Sequence, residues 1–480
     1  MKKANITLLI IISLSILYGQ WEPDRRLTFF DTVFSVTSYN NAWCVASSGN
    51  FVHVVCYAGT GIPDRWDVFY IRSTDNGVNW EELVKLSEGP RTFYRPAVAV
   101  SGPYVHCVWT HINDRYIYYR RSTDNGESWE EVVQIEEDRA ISAFPSIAAF
   151  GSNVHIVWVE GRDGRYEIYY KLSTDNGLTW GEDTRLTFHQ RTAISPSVAA
   201  FGPNVHVVWE DYRDCSYRPE IYYKRSTDNG LTWGEDTRLT FDSASSRPSI
   251  AVSGSNVHIV WQWYDWEVFR PRIYYKRSTD NGTTWSRDTC LTESAGIGGG
   301  PSIAVSGSNV HIVWRDSRDG NLEIYYKRST DNGVTWSEDT RLTSDSAESN
   351  YTSVAVSGPC VHCVWEDYRS GLSEIYYKRN PTGNPSIGER ERSLTSQNAI
   401  LENPYPNPFR KSTTIYLPPT TDRWKLEIYD TQGRLVKSFP AKEVIVWDGK
   451  DEGGKEVPKG VYLFCFTSSQ YKGMKKVVKL

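Results

Sequence analysis

An eight-residue pattern, Ser-Thr-Asp-Asn-Gly-x-x-Trp, occurs six times in this chain and constrains its fold more than any other feature. A repeat period of about 50 residues with strand-like flanks is typical of propellers and solenoids. Asp-Asn-Gly favours a hairpin turn, because Gly accepts a positive φ and because Asp and Asn bond the local backbone. We therefore interpret the six aspartates as structural turn residues. They are Asp75, Asp124, Asp175, Asp228, Asp280 and Asp331.

Each repeat also contains four short strand patterns. In one repeat these cover residues 248–252, 257–261 and 273–277, and the turn then leads to a short fourth strand. Four antiparallel strands per unit predict a propeller blade. The second strand, marked by Val-His, occurs seven times, and residues 25–28 match the fourth strand of other repeats. The sequence therefore predicts an all-β fold with seven blades, in which the N-terminal strand completes the last blade.

The chain divides into four predicted segments. Residues 1–20 have a basic start and a short apolar run, as in a secretory signal peptide, and we expect no transmembrane segment after its removal. Residues 21–380 form the propeller, and residues 381–400 form a polar linker. Residues 401–480 lack the repeat and are long enough for a small immunoglobulin-like β-sandwich.

Charge and cysteine usage limit the kinds of partner. The formal net charge is -5, and we expect no nucleic-acid partner, because such proteins carry a strongly basic face. No Cys/His spacing suits zinc, so we predict neither a metal nor a cofactor. Cys215 and Cys290 fall in one repeat neighbourhood, which leaves a disulfide between them open. The seven Val-His histidines are predicted to be buried and hydrogen-bonded between blades.

The repeated turn resembles the Asp box, or BNR repeat, of the sialidase and neuraminidase superfamily. The resemblance covers residues 21–380 and implies a propeller of sialidase type, with the box on the face away from the ligand. Residues 401–480 resemble the type IX secretion sorting domain, which is close to FlgD-like immunoglobulin domains. The matching residues include Pro406-Asn407-Pro408-Phe409, Gly460-Val461-Tyr462 and the basic C-terminus. This resemblance implies passage through bacterial outer-membrane secretion machinery, and a secreted or cell-surface location.

The residue just before the predicted first strand varies among the blades, in contrast to the repeated scaffold. Variation on a constant frame indicates where function lies. In chain order these residues are Ala42, Arg95, Phe144, Ser195, Arg247, Gly300 and Tyr351.

Two of these positions resemble sialidase motifs. Tyr94-Arg95-Pro96 resembles Phe/Tyr-Arg-Ile-Pro without its isoleucine, and Tyr351-Thr352-Ser353-Val354 resembles the stretch that holds the family's nucleophilic tyrosine. The resemblance implies that Arg95 grips a substrate carboxylate, and a guanidinium fork at Arg247 suits the same role. It implies Tyr351 as nucleophile and Asp138 as acid/base. A third arginine and a glutamate partner for Tyr351 are not identified.

The loops between second and third strands carry a further pattern. Four blades place an acid two residues before an arginine, which predicts loop-stapling salt bridges, whereas blade 5 has Trp263, Tyr264 and Trp266. Three aromatics indicate either a ligand contact or a plug against the C-terminal domain, and we favour a ligand contact.

The sequence thus predicts an exported, cell-surface propeller that binds a glycan or a surface protein on its loop face. An exo-sialidase, a glycoside hydrolase using Tyr351, is the alternative. A purely structural surface component is the third hypothesis.

Overall fold

The computed structural model describes residues 21–30, 33–37, 44–59, 65–89, 93–111, 115–136, 141–161, 165–242, 244–265, 270–292, 296, 298–383, 409–416, 425–431, 434–439, 444–467 and 472–480. The predicted signal peptide lies outside these residues. The chain divides into two compact units, Met1–Ile387 and Gly388–Leu480. Within the described ranges, no helix has the length and apolar character needed to cross a bilayer.

The first unit contains seven antiparallel sheets, which confirms the predicted blades. The innermost strands are Val45–Ser48, Phe93–Ser101, Ser142–Phe150, Ala193–Phe201, Ser245–Ser253, Gly299–Ser306 and Ser349–Ser357. The second strands are Phe51–Gly59, Tyr104–His111, Asn153–Glu160, Asn204–Asp211, Asn256–Asp265, Asn309–Asp316 and Cys360–Asp367. The third strands are Trp66–Ser73, Ile117–Ser122, Glu167–Ser173, Glu220–Ser226, Arg270–Ser278, Glu323–Ser329 and Glu374–Asn380. The outermost strands are Val84–Lys85, Val133–Gln134, Thr184–Arg185, Thr237–Arg238, Thr289–Cys290, Thr340–Arg341 and Arg25–Arg26.

The blades close into a ring. Each innermost strand packs against that of the next blade, and Ser349–Ser357 of blade 7 packs against Val45–Ser48 of blade 1. Arg25–Arg26 pairs with the third strand of blade 7, as predicted. In blade 1 a further strand, Ser35–Val36, also pairs with Phe51–Gly59. Closure of this kind leaves only short sheet edges exposed.

Buried polar pairs support each blade. The Nδ1 atom of each Val-His histidine lies 2.6 to 2.8 Å from a tyrosine hydroxyl on the third strand of the same blade, as in His155 and Tyr170. The Nδ1 partner of these histidines therefore lies within the same blade, whereas His258 also bonds the Asn332 side chain of the next blade, as predicted. Burial holds the pKa of His155 at about 4, so this histidine is neutral at pH 7.

The same tyrosines join neighbouring blades. The Tyr170 ring packs edge-on against Trp233 of the next Asp box, with 4.9 Å between ring centroids. The third-strand arginine makes a parallel contact, since Arg225 donates to the Asn281 carbonyl of the following box at 2.7 Å. Blade 7 has no box, and there Trp21 contacts Tyr326 at 4.9 Å. The N-terminal segment therefore supplies both the last strand and the last aromatic contact of the ring.

The second unit is a small β structure. Leu435–Phe439, Lys425–Asp430, Gly460–Thr467 and Lys472–Lys479 form one sheet in that order, and Thr413–Tyr416 pairs with Val444–Trp447. Its core includes Phe409, Leu426, Trp447 and Phe464. The Trp447 indole donates to the Lys450 carbonyl at 2.8 Å, so its buried polar atom is satisfied.

Candidate functional site

The two ends of the propeller have different chemistry. The Asp boxes lie at the same end as the turns between first and second strands, because Asn229 N donates to the Pro203 carbonyl at 2.8 Å. The variable residues lie at the opposite end, where each innermost strand begins. We call the first the box end and the second the ring end.

At the box end the aspartates organise the turn. Asp228 Oδ1 accepts from the Ser226 hydroxyl at 2.7 Å and from Thr232 N at 2.9 Å, while its Oδ2 accepts from the Thr232 hydroxyl at 2.6 Å. These bonds from Thr232 and Ser226 lower the pKa of Asp228 to about 2. Gly230 must be glycine, because a Cβ atom there would lie 1.8 Å from the Tyr170 hydroxyl. The carboxylate oxygens therefore bond within the turn.

At the ring end the variable residues occupy β-bulges. In blade 2, Tyr94 pairs with Thr110 but Ala97 pairs with Val108, so Arg95 and Pro96 together oppose one residue. The described variable residues all have positive φ: Arg95 57°, Phe144 57°, Ser195 54°, Arg247 52°, Gly300 60° and Tyr351 43°. We call these six residues the bulge ring. They lie inside the innermost strands rather than before them, which corrects the sequence interpretation.

A positive φ is a constrained backbone conformation for the five non-glycine residues of the bulge ring. The left-handed conformation costs an L-residue roughly 1–2 kcal/mol, and a bulge turns the side chain away from the regular pleat. All five side chains are half-buried, so each presents part of its surface at this end of the axis. Backbone strain held in place by a rigid scaffold is a common feature of functional sites.

A second set of varying side chains lies beside the bulge ring. Each occurs four residues after a Val-His histidine, on a second strand. They are Tyr57, Thr110, Val159, Glu210, Gln262, Arg315 and Glu366, which we call the second-strand ring. Sequence reasoning missed this ring, although the fixed offset from the repeated histidine was a usable signal.

The two rings form a mixed cluster across blades 6, 7, 1 and 2. The Arg315 guanidinium lies 5.0 Å from the Tyr351 ring centroid and donates to Asn350 Oδ1 at 2.8 Å. The Tyr57 hydroxyl is close enough to Glu366, Arg95 and Tyr351 for each to shift its pKa, although burial is the larger cause of its rise. The cluster therefore contains two arginines, two tyrosines and a carboxyl group.

Glu366 is the titratable member of this cluster. Burial raises the pKa of its carboxyl to about 7, against opposing effects of Tyr368, Ser373 and Arg315. Tyr368 also interacts electrostatically with Tyr351. Glu366 thus changes charge near neutral pH in the same cluster as Tyr351, for which sequence analysis found no glutamate partner.

The two arginines of the bulge ring, Arg95 and Arg247, have defined surroundings. The Arg95 guanidinium lies 3.7 Å from the Phe144 ring centroid and 4.9 Å from that of Tyr94, which fixes its plane between aromatic faces. Arg247 N donates to Glu210 Oε1 at 2.8 Å, and burial raises the pKa of Glu210. Arg95 and Arg247 belong to different sectors of the ring.

The axis itself contains a cavity of about 210 Å³. Small side chains from the innermost strands of all seven blades surround it, such as Ala99, Ala148 and Ala251. The polar groups of the two rings are not part of this lining. A polar ligand would therefore find its hydrogen-bonding partners at the ring end rather than inside the channel.

Trp263 and Tyr264 of blade 5 belong to a strand rather than to a loop. Its second and third strands pair through Trp263 and Arg272, then through Tyr264 and Pro271. The Trp263 ring is half-buried and packs edge-on against Tyr274, with 5.7 Å between centroids. This packing holds the Trp263 ring against the third strand. Tyr264, the next residue, is also half-buried. Asp138 and Trp266 lie outside the described residues.

The acid–arginine pairs of the neighbouring blades are salt bridges. Asp211 accepts from Arg213 at 2.6 Å and from the Trp209 indole at 2.8 Å, and the Arg213 guanidinium lies 3.9 Å from the Tyr222 ring centroid. The equivalent pairs Asp316–Arg318 and Asp367–Arg369 are also 2.6 Å long. Each pair has its carboxylate buried, which is consistent with a loop-stapling role.

The described ranges contain neither a metal-binding cluster nor a disulfide. Within them, no group of three His, Cys, Asp or Glu side chains is arranged to hold a metal ion. All eight cysteines are free thiols, and Cys290 contacts the Thr292 carbonyl instead of Cys215.

Comparison with known proteins supports the fold of both units. The FlgD Ig-like domain family matches residues 410–471. No curated protein sequence matches the chain. Among solved structures, a polysaccharide lyase of family PL25, an ulvan lyase bound to -[GlcA(1-4)Rha3S]-, has a TM-score of 0.55 at 11% identity and covers 74% of this chain and 95% of its own.

Two further solved structures resemble the chain over a similar share of its length. The polysaccharide lyase Uly1 has a TM-score of 0.51 at 10% identity, covering 75% of this chain and 99% of its own. The Trypanosoma rangeli sialidase in complex with DANA has a TM-score of 0.42 at 11% identity, covering 82% and 85%. At such identities the similarity of the lyases establishes only that residues of the first unit fold as a propeller of this type.

Proposed function

We propose that this chain is an exported, cell-surface protein whose propeller binds a glycan at the ring end, and specifically a glycan that carries an anionic group. The observation that carries the proposal is the contrast between a scaffold repeated in every blade and two rings that do not repeat. Arginine forks suit carboxylates and sulfates, and tyrosine rings suit sugar faces. A protein ligand at the same end is the other occupant that the sequence allows.

The binding proposal has a direct test. Purified protein would be screened against a glycan array, with Arg95→Ala as the site variant and Arg434→Ala in the C-terminal unit as the matched control. We expect binding to anionic glycans that falls at least tenfold in Arg95→Ala and is unchanged in Arg434→Ala, since a charge-assisted bond contributes roughly 1.5–3 kcal/mol. Equal binding by both variants would place the ligand elsewhere.

An exo-sialidase remains the second candidate because of one observation. Tyr351 shares its surroundings with Glu366, which supplies the kind of carboxylate that a tyrosine nucleophile requires. Turnover of a fluorogenic sialoside that collapses in Tyr351→Phe would support the enzyme. A folded wild-type protein without turnover would exclude it for sialosides.

The proposal that the protein is exported depends on features at the two ends of the chain. Residues 1–20 resemble a signal peptide, and the C-terminal unit belongs to a fold that the sorting domain resembles. We expect a propeller lacking residues 409–480 to stay behind the outer membrane of its host, whereas the full chain reaches the surface. Surface exposure of the truncated chain, detected by protease shaving, would contradict a sorting role.

A further inference from the structure

The bulge ring has one gap. Arg95, Phe144, Ser195, Arg247 and Tyr351 each carry a side chain at the bulge, but blade 6 has Gly300 there. The other blades show that this left-handed position accepts rings as large as those of Phe144 and Tyr351. Gly300 is therefore not required by the bulge itself, and it leaves this position of the ring without a side chain.

The gap lies beside an element peculiar to blade 5. In blade 4 the pairing of second and third strands ends at Asp211 with Glu220, whereas in blade 5 it continues two pairs further, through Tyr264 and Asp265. Among the described residues this is the longest extension of any blade at the ring end. The strand pairing of blade 5 therefore extends further at the ring end than that of blade 4.

One face of this hairpin is directed at the gap. Gln262 Oε1 accepts from Gly300 N at 3.3 Å, so the side chain of Gln262 faces the bulge of blade 6. Tyr264 lies two residues further along the same strand and shares the face of Gln262. On the other side of the gap, Gly299 pairs with Arg315, whose guanidinium lies over the Tyr351 ring.

Blade 5 also differs from blade 4 at two paired strand positions. The position of the stapling Asp211 is occupied by Trp263, and the position of the buried Glu220 is occupied by Arg272. Trp263 packs on Tyr274 and supports the strand that carries Tyr264. A half-buried tyrosine on a rigid hairpin offers a sugar a contact face at low entropy cost.

We propose that the position of Gly300, between Tyr264 and Arg315, is the path along which a linear glycan leaves the ring-end site, so that the ligand is an oligosaccharide contacted at several sugar units. The inference rests on the proposed glycan function and adds the class of ligand. It applies equally to a binding protein and to an exo-acting enzyme, because a chain whose end lies at the axis must leave the ring somewhere.

The test measures affinity against chain length. Size series of oligouronates and of sialyl-oligosaccharides, from the shortest to the hexasaccharide, would be titrated into the full chain by calorimetry. We expect affinity to rise with length in at least one series. Tyr264→Ala should weaken the hexasaccharide roughly five- to tenfold, the value of one aromatic contact, and leave the shortest member unchanged.

Gly300→Phe closes the path without demanding a new backbone conformation. It should fold at a cost of roughly 1–2 kcal/mol for a side chain in the left-handed conformation, retain the shortest ligand and lose the gain with length. Affinity that does not depend on length, or a length dependence that survives in Gly300→Phe, would overturn the inference and leave the proposed function standing. Failure of every member of both series to bind would overturn both.

Discussion

Replacing Glu366 by glutamine should change how the stability of the protein depends on pH. Burial raises the pKa of this carboxyl from 4.5 to about 7 in the folded protein. At about 1.4 kcal/mol for each tenfold change in proton affinity, this corresponds to roughly 3 kcal/mol. Since the folded pKa is raised, the contribution of Glu366 is fully present below pH 4.5 and is lost as the pH rises through about 7.

The assay is guanidinium unfolding of wild type and Glu366→Gln, followed by tryptophan fluorescence between pH 4 and 8. We expect the two proteins to have similar free energies of unfolding near pH 4, with the variant more stable by roughly 3 kcal/mol at pH 8. Glu348→Gln, at an exposed position in the same blade, is the matched control and should follow wild type. A difference between Glu366→Gln and wild type that does not change with pH would refute the argument from burial.

Two substitutions test how the blades are joined. Gly230→Ala should cost roughly 2–4 kcal/mol, because its Cβ would lie 1.8 Å from the Tyr170 hydroxyl, whereas Gly202→Ala, with φ of 59° and open space around it, should cost only about 1 kcal/mol in thermal unfolding. Trp21→Ala should destabilise the propeller by roughly 2–3 kcal/mol, as much as Trp336→Ala in an Asp box, because both rings pack on a third-strand tyrosine. Equal losses of stability in Gly230→Ala and Gly202→Ala, or an unchanged stability of Trp21→Ala, would contradict the proposed contacts between blades.

The repeat made the fold predictable because the relevant interactions are local. Ser226, Asp228 and Gly230 form their turn within a few residues, so the sequence alone identifies it, and the Val-His strand, which occurs seven times, counts the blades. The N-terminal closure followed from the match of residues 25–28 to the other fourth strands. The role of Trp21 was not predictable, because its contact with Tyr326 joins distant parts of the chain.

The candidate site was only partly predictable. Comparing equivalent positions identified Arg95, Arg247 and Tyr351, but a residue before a proline or a strand is expected to be extended, so their left-handed bulges were not anticipated. Arg315 and Glu366 were missed because they reach the ring from second strands, where equivalent positions were not compared although their offset from the Val-His histidine is fixed. Tyr264 was assigned to a loop because the strand extension in blade 5 depends on its pairing with Pro271.

The central claim is that ligand is bound at the ring end while the box end is structural. Hydrogen–deuterium exchange of the full chain, with and without the strongest glycan found on the array, tests it most directly. The account predicts ligand-dependent protection in peptides covering residues 93–97, 245–249 and 349–353, and none in the Asp-box turns. Protection confined to the box turns or to residues 409–480 would contradict it.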